Sequence, residues 1–335
     1  MNRKRTARHC WPLLLVLLAA GAWAESKNAQ PLVSELLSAS RLPLVPCVLI
    51  TDMESNAGSV LAVGAGGHIF KRKTPVNDAA GLPCESAAYW QLLPSPVLVP
   101  LTTLSINGKH AWAAGHDGVI LHSGDGGGNW EIQYRLVNAE FPVTFLDSLF
   151  LNDQRGFVVG AHSAFAQTSN GGESWVYRIL DKEIEGHLHA ITRLGDGALL
   201  VVGAGGTVYT SVDEGVNWQW DDDFPYEGSM FTALPFGEKG ILVAGVRGHV
   251  FIKRDWQESD WQLLPPVTDR TLFSAAMRSN GEVLLGGAGG QLLTTVGGIS
   301  RLEVLPSRAN GMIADFLFTE QTLLIAGEHG VQHSP

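Results

Sequence analysis

Seven copies of one short pattern set the limits on what this chain can fold into. Each copy is a short apolar run, then G-x-x-G or a close relative, then an alternating apolar run. The copies are VLAVGAGGHIF from Val60, AWAAGHDGVIL from Ala111, FVVGAHSAFA from Phe157, LVVGAGGTVY from Leu200, LVAGVRGHVF from Leu242, LLGGAGGQLL from Leu284 and LIAGEHGVQ from Leu324. Their leading glycines are Gly64, Gly115, Gly160, Gly203, Gly245, Gly287 and Gly327, spaced 51, 45, 43, 42, 42 and 40 residues apart. A period in the low forties is that of a four-stranded propeller blade. It leaves no room for a sizeable helix between strands, which excludes a parallel α/β sheet. The chain therefore predicts an all-β fold, a seven-bladed β-propeller.

Within each unit the run before the first glycine reads as a strand buried on both faces. The glycine pair reads as a tight hairpin needing positive φ. A third strand follows, then an outer strand marked by Trp90, Trp130, Trp175, Trp218 or Trp261. Phe231 to Leu234 and Leu272 to Met277 read as inner strands of the blades that follow. Three units carry S/T-x-D/N-x-G-x-x-W between the third strand and the tryptophan. The residues are Ser123, Asp125, Gly127 and Trp130; Thr168, Asn170, Gly172 and Trp175; and Ser211, Asp213, Gly215 and Trp218. In this Asp-box the Asp or Asn is expected to bond backbone N–H groups two residues on. The Gly takes a left-handed conformation and the Trp packs on the neighbouring blade. These boxes are structural and carry no chemistry.

The last unit ends soon after its third strand begins. The N-terminal segment, residues 25–40, precedes the first inner strand, and Gln30 to Leu37 is expected to supply the missing outer strand and close the ring. The propeller itself is assigned to residues 41–335. Ahead of it, residues 1–24 read as a signal peptide. Arg3, Lys4, Arg5 and Arg8 precede a Leu-rich run from Trp11 to Ala20, and Ala22-Trp23-Ala24 fits the cleavage pattern. No later stretch is apolar for the ~20 residues a membrane helix needs. The mature chain is thus expected in the periplasm. Removing the four basic residues of the signal takes the formal net charge from −10 to −14. A chain that acidic is repelled by nucleic acid, which removes that partner class. Cys47 and Cys84 survive processing, and an oxidising compartment permits either a disulfide or two buried thiols. No Cys/His spacing points to a metal, and no motif calls for a cofactor.

In such a blade the hairpins of the glycine pattern share a face with the loops between blades. That puts His68, His116, Asp117, His162, Arg247, His249, Glu328 and His329 on one rim, read as a polar partner-binding surface. The loops entering blades also lie there, including Asp221-Asp222-Asp223-Phe224-Pro225-Tyr226-Glu227. Trp256 is the most exposed candidate among the tryptophans for stacking on a sugar.

The glycine hairpins, the three Asp-boxes and the signal peptide together resemble the photosystem II assembly and stability factor family of Asp-box propellers. The resemblance covers about Arg41 to His333. It implies a non-catalytic binding and assembly scaffold, lumenal in photosynthetic members, docking on a membrane protein complex of the envelope: photosystem II-like in photosynthetic members, a transporter or similar complex elsewhere. A closed ring without a free edge gives no reason to expect an oligomer, so a monomer is expected. It also implies an arginine patch. Here Arg247, Arg270, Arg278 and Arg301 are dispersed in the sequence. The alternative is a glycan-binding or sialidase-like propeller, since Ser40-Arg41-Leu42-Pro43 resembles a sialidase Arg-Ile-Pro motif. A sialidase needs a tyrosine nucleophile, and of five tyrosines only Tyr226 lies on a binding loop.

Overall fold

The computed structural model describes residues 48–56, 58–72, 89–137, 142–180, 186–319 and 322–333. Cys47, Cys84, Arg41, the signal peptide and the Gln30–Leu37 segment lie outside them. The described residues form seven antiparallel sheets, each a meander in chain order. Six have four strands and the seventh has three. This is the seven-bladed propeller that the repeat predicts. No helix among the described residues is long and apolar enough to cross a membrane.

The inner strands are Ile50–Asn56, Leu101–Asn107, Phe145–Phe150, Leu188–Arg193, Met230–Phe236, Leu272–Met277 and Ile313–Phe318. Each pairs with a second strand that ends on the leading glycine, as in Ser59–Gly64 and Leu199–Gly203. These second strands are buried along nearly their whole length, because blades stack on both of their faces.

One apolar cluster fills each junction between blades. Leu61, Val63 and Ile69 of blade 1 meet Leu101, Ala113 and Leu121 of blade 2. Trp112 of blade 2 lies flat on Phe150 of blade 3, ring centroids 3.6 Å apart. Similar clusters continue around the ring. The last joins Leu324, Ala326 and Val331 of blade 7 to Ile50, Val60 and Phe70 of blade 1. Blade-to-blade packing therefore already closes the circle at its inner strands. A fully buried Leu, Ile or Phe side chain contributes roughly 1.5–3 kcal/mol.

The glycine pattern has a different cause from the one expected. The leading glycines are extended, with φ of −155 to −178° where the turn geometry is defined. What they lack is room. A Cβ on any of the seven would overlap the carbonyl of the loop entering the blade: Leu49, Pro100, Thr144, His187, Ser229, Thr271 or Met312. That carbonyl accepts the N–H of the next residue, as in Ala65 N to Leu49 O at 3.0 Å and Ala204 N to His187 O at 2.8 Å. Positive φ belongs to the two residues that follow. In blades 1 to 6 these form a one-turn 3-10 segment whose apex is Gly66, Asp117, His162, Gly205, Arg247 or Gly289, at φ 56–68°.

The three Asp-boxes close the turns on the opposite face. Ser123 Oγ donates to Asp125 Oδ1 at 2.8 Å and accepts from Gly127 N at 3.0 Å. Asp125 Oδ1 then accepts from Gly128 N and Asn129 N, three and four residues on rather than two. Thr168 with Asn170, and Ser211 with Asp213, repeat the design. Gly127, Gly172 and Gly215 sit at φ 81–89°. A side chain at Gly127 would strike Leu61, and one at Gly215 would strike Phe157, each on the preceding blade. The tryptophans pack at the same junctions, Trp218 edge-on to Phe165 at 5.6 Å.

Candidate functional site: the channel mouth

All seven inner strands share one irregularity. Each is bulged at its second residue: Thr51, Thr102, Leu146, His189, Phe231, Phe273 and Ala314. A bulge sets two successive side chains toward one side. The ring of bulge residues and the residues after them surround the mouth of the central channel, a cavity of about 180 Å³. The mouth opens on the face of the glycine turns, since each bulge lies one residue from the pair formed with a leading glycine, as in Ile50 with Gly64.

An inner strand is an edge strand, so half of its N–H and C=O groups lack a ladder partner. Side chains of the preceding blade supply them. Thr51 Oγ1 donates to Leu101 O at 2.8 Å, and Thr102 Oγ1 donates to Phe145 O at 2.5 Å. His189 Nδ1 lies 2.8 Å from Met230 O. Carboxylates serve the N–H groups. Asp52 accepts from Leu104 N at 2.6 Å, Asp147 from Ile191 N at 2.8 Å, and Asp315 from Met53 N at 3.0 Å. The last of these spans blades 7 and 1.

One half of the mouth is therefore acidic. Asp52, Asp147 and Asp315 line it, and Glu54 lies one pleat deeper on the strand of Asp52. Burial pushes Asp52 up to about 6, Asp147 to about 7 and Glu54 to about 8, against the hydrogen bonds that lower them. Asp315 is raised well above the ordinary carboxylate range, again by burial and then by the nearby Asp52 charge. The other half is aromatic. His189 and Phe231 lie 4.5 Å apart between centroids, and Phe231 and Phe273 lie 5.2 Å apart. Burial pushes His189 down to about 4, so its imidazole is neutral at physiological pH. Among the described residues no lysine, arginine or tyrosine lines the cavity.

The predicted rim residues lie around this mouth on the turns of blades 1, 2, 3, 5 and 7. Asp117, His162, Arg247, Glu328 and His329 are exposed. His68, His116 and His249 are half-buried, and burial lowers the pKa of the first two. The structure brings His162 onto His187, whose Nδ1 lies 3.1 Å from the His162 N–H. It also sets His249 edge-on to Tyr226 at 4.6 Å. The remaining rim residues each keep to their own blade's turn. Among the described residues no group of His, Cys, Asp and Glu could hold a metal ion. Of the four arginines, Arg247 and Arg270 share the mouth face on adjacent blades, and Arg270 is spent on Ala288 O and Gly289 O. Arg278 sits at the opposite end of its strand with Glu282, and Arg301 is on an outer strand with Glu303. Trp256 is not the exposed tryptophan: its indole donates to Asp196 at 2.8 Å, while Trp220 is 46% exposed.

The channel carboxylates escaped sequence reading, although a signal exists. Ile50-x-Asp52, Phe145-x-Asp147 and Ile313-x-Asp315 place an acid two residues after the first buried residue of an inner strand.

Comparison with known proteins decides the family. Residues 86–313 match the model for Photosynthesis system II assembly factor YCF48. The chain belongs to the YCF48 family. A YCF48 photosystem II assembly lipoprotein of Synechococcus sp. CC9902 is 21% identical over 70% of this chain and 67% of its own length. A second from Synechococcus sp. JA-3-3Ab is 27% identical over 61% of each. The chain thus spans under two thirds of the length of some YCF48 relatives. The photosystem II stability/assembly factor HCF136 of Arabidopsis thaliana is 23% identical over 71% of this chain and 65% of its own length. Among solved structures, YCF48 bound to a D1 peptide superposes with a TM-score of 0.66 at 18% identity, covering 87% of this chain and 94% of that one. YCF48 from Cyanidioschyzon merolae gives 0.63 at 16%, over 86% and 95%.

Proposed function

We propose that this chain is an exported, non-catalytic, monomeric assembly scaffold whose turn face docks on a membrane protein complex of the cell envelope. Membership of the YCF48 family carries the reading, and the relative bound to a D1 peptide makes an extended segment of a photosystem II-type subunit the first partner to test. A transporter or other envelope complex is the equivalent in a non-photosynthetic cell. The structure supports a docking role for one face in particular. There a rigid set of 3-10 turns holds Asp117, His162 and Arg247 at exposed left-handed apices, ordered before any partner arrives.

One observation favours the rival glycosidase: a cavity with several raised carboxyl groups is where such a reaction would be sought. Against it, each of Asp52, Asp147 and Asp315 is bonded to a backbone N–H of the next blade. Among the described residues the lining offers neither a tyrosine nucleophile nor an arginine for a substrate carboxylate.

The test is photo-cross-linking from residues 116, 247 and 328 of the mature protein in its own solubilised membranes. The same membrane complex captured from all three positions is the expected result. Turnover of a glycan panel with no capture would overturn the reading.

A further inference from the structure

We infer that the channel mouth is a seat for one cationic side chain, a lysine ammonium or arginine guanidinium, presented by the segment that docks on this face. The inference rests on the docking reading and names the chemistry of the partner at that site. Four observations converge. The cavity, about 180 Å³, is below the ~300 Å³ where small-molecule pockets begin, so it fits a side chain rather than a cofactor. Its acidic half presents Asp52, Asp147 and Asp315, with no lysine or arginine among the described residues of the lining. Facing them, Phe231 and Phe273 offer ring surfaces of the kind that attract a cation. Lastly, Glu54 Oε2, beneath Asp52, is shut off from solvent and has no hydrogen-bond partner among the described residues. The Ile106 N–H donates to this carboxyl, and Oε2 is the one oxygen the fold leaves unused.

The titratable groups lining the seat are Asp52 from blade 1, Asp147 from blade 3, His189 from blade 4 and Asp315 from blade 7, and Glu54 lies one pleat below Asp52. Thr103, Thr232 and Ser274 fill the same register elsewhere. His189 is neutral above about 4 and does not repel a cation. An entering positive charge favours the ionised carboxylates and expels protons. With free-state values of about 6 for Asp52, 7 for Asp147 and 8 for Glu54, affinity should climb as pH rises from 6 to 8. The expected slope is about tenfold per pH unit for each proton released.

The experiment titrates the mature protein with the peptide N-acetyl-Gly-Lys-Gly-amide, and with its norleucine counterpart, while the Phe231, Phe273 and His189 ring resonances are followed by NMR. Saturable shifts from the lysine peptide alone, strengthening with pH, are expected. Glu54→Gln and Phe231→Leu should each weaken that binding by about tenfold or more. Glu54→Gln keeps an oxygen for the Ile106 N–H, so a loss there is not a folding defect. Equal shifts from the norleucine peptide, or undiminished lysine binding in Glu54→Gln, would overturn the inference. The two readings fail separately. Capture of a membrane complex with equal yield by wild type and Glu54→Gln, without lysine binding, sinks the seat and leaves the scaffold. Lysine binding without capture of any complex sinks the scaffold and leaves the seat's chemistry.

Discussion

A methyl group at Gly203 has nowhere to go, because it would overlap the His187 carbonyl that Ala204 N–H needs. Gly205, two residues on, has the opposite character: φ is 66° and a Cβ would meet open space. The two glycines of one motif are thus retained for different reasons, close approach at the first and backbone handedness at the second. Gly203→Ala should cost about 3 kcal/mol, the upper end of overpacking penalties. Gly205→Ala should cost about 1 kcal/mol, the lower end of the left-handed penalty. Urea unfolding of the two variants checks the order, and equal losses would refute it. The sequence alone supports only the handedness reading, since a glycine required by a carbonyl from a distant loop looks like any other. Asp117, His162 and Arg247 reveal the distinction, for they occupy the left-handed apex that glycine fills in other blades.

At the scale of the turn, the Asp-box is a matched pair of positions. Asp125 faces Asn129 and Asp213 faces Asn217, each carboxylate accepting the amide NH₂. Where the first position is Asn170, the second is Ser174, whose hydroxyl accepts from Asn170 Nδ2. The acid and its partner are therefore exchanged together. Asn170→Asp should be nearly neutral, because the Ser174 hydroxyl can turn and donate. Asp125→Asn should cost about 1 kcal/mol, the scale of a lost hydrogen bond, since two NH₂ groups then face each other. Adding Asn129→Ser should restore the loss, and a double-variant cycle in urea measures it. These boxes were legible because the bonds among their own Ser or Thr, Asp or Asn and Gly positions are local, within four residues. The channel ladder was not. Asp52 and Leu104 are 52 residues apart, and Met53 and Asp315 are 262 apart. Only the ring's closure brings them together, so the acids of an inner strand read as ordinary alternation until the neighbouring strand's free edge is in view.

For the whole ring, the same ladder ties stability to pH. Asp52, Glu54, Asp147 and Asp315 hold protons in the folded chain to higher pH than the ~4 at which unfolded Asp and Glu release them. The folded state thus binds more protons between those limits. The stabilisation this confers is complete below about pH 4 and drains away as pH rises through 6 to 8. Asp125 and Asp213 act in the other direction. Hydrogen bonds from Asn129 and Asn217 hold them below the ordinary range, so their contribution is present at neutral pH and is lost as pH falls below about 4. The two effects leave greatest stability between about pH 4 and 6. The urea midpoint should fall steadily from pH 5.5 to 8.5, and Glu54→Gln should flatten that fall by stabilising the protein at 8.5 while changing little at 5.5. Amide exchange, corrected for its intrinsic pH dependence, locates the effect. Met53, Leu104 and Ile191, whose N–H groups the acids receive, belong to the seam from blade 7 through blade 4. A midpoint constant over that range, in wild type and variant alike, would mean that the channel carboxylates relax against water rather than against the blades. Bound lysine peptide should push the same curve the other way, protecting the protein most at high pH, because a cation in the mouth removes the cost of the charges gathered there.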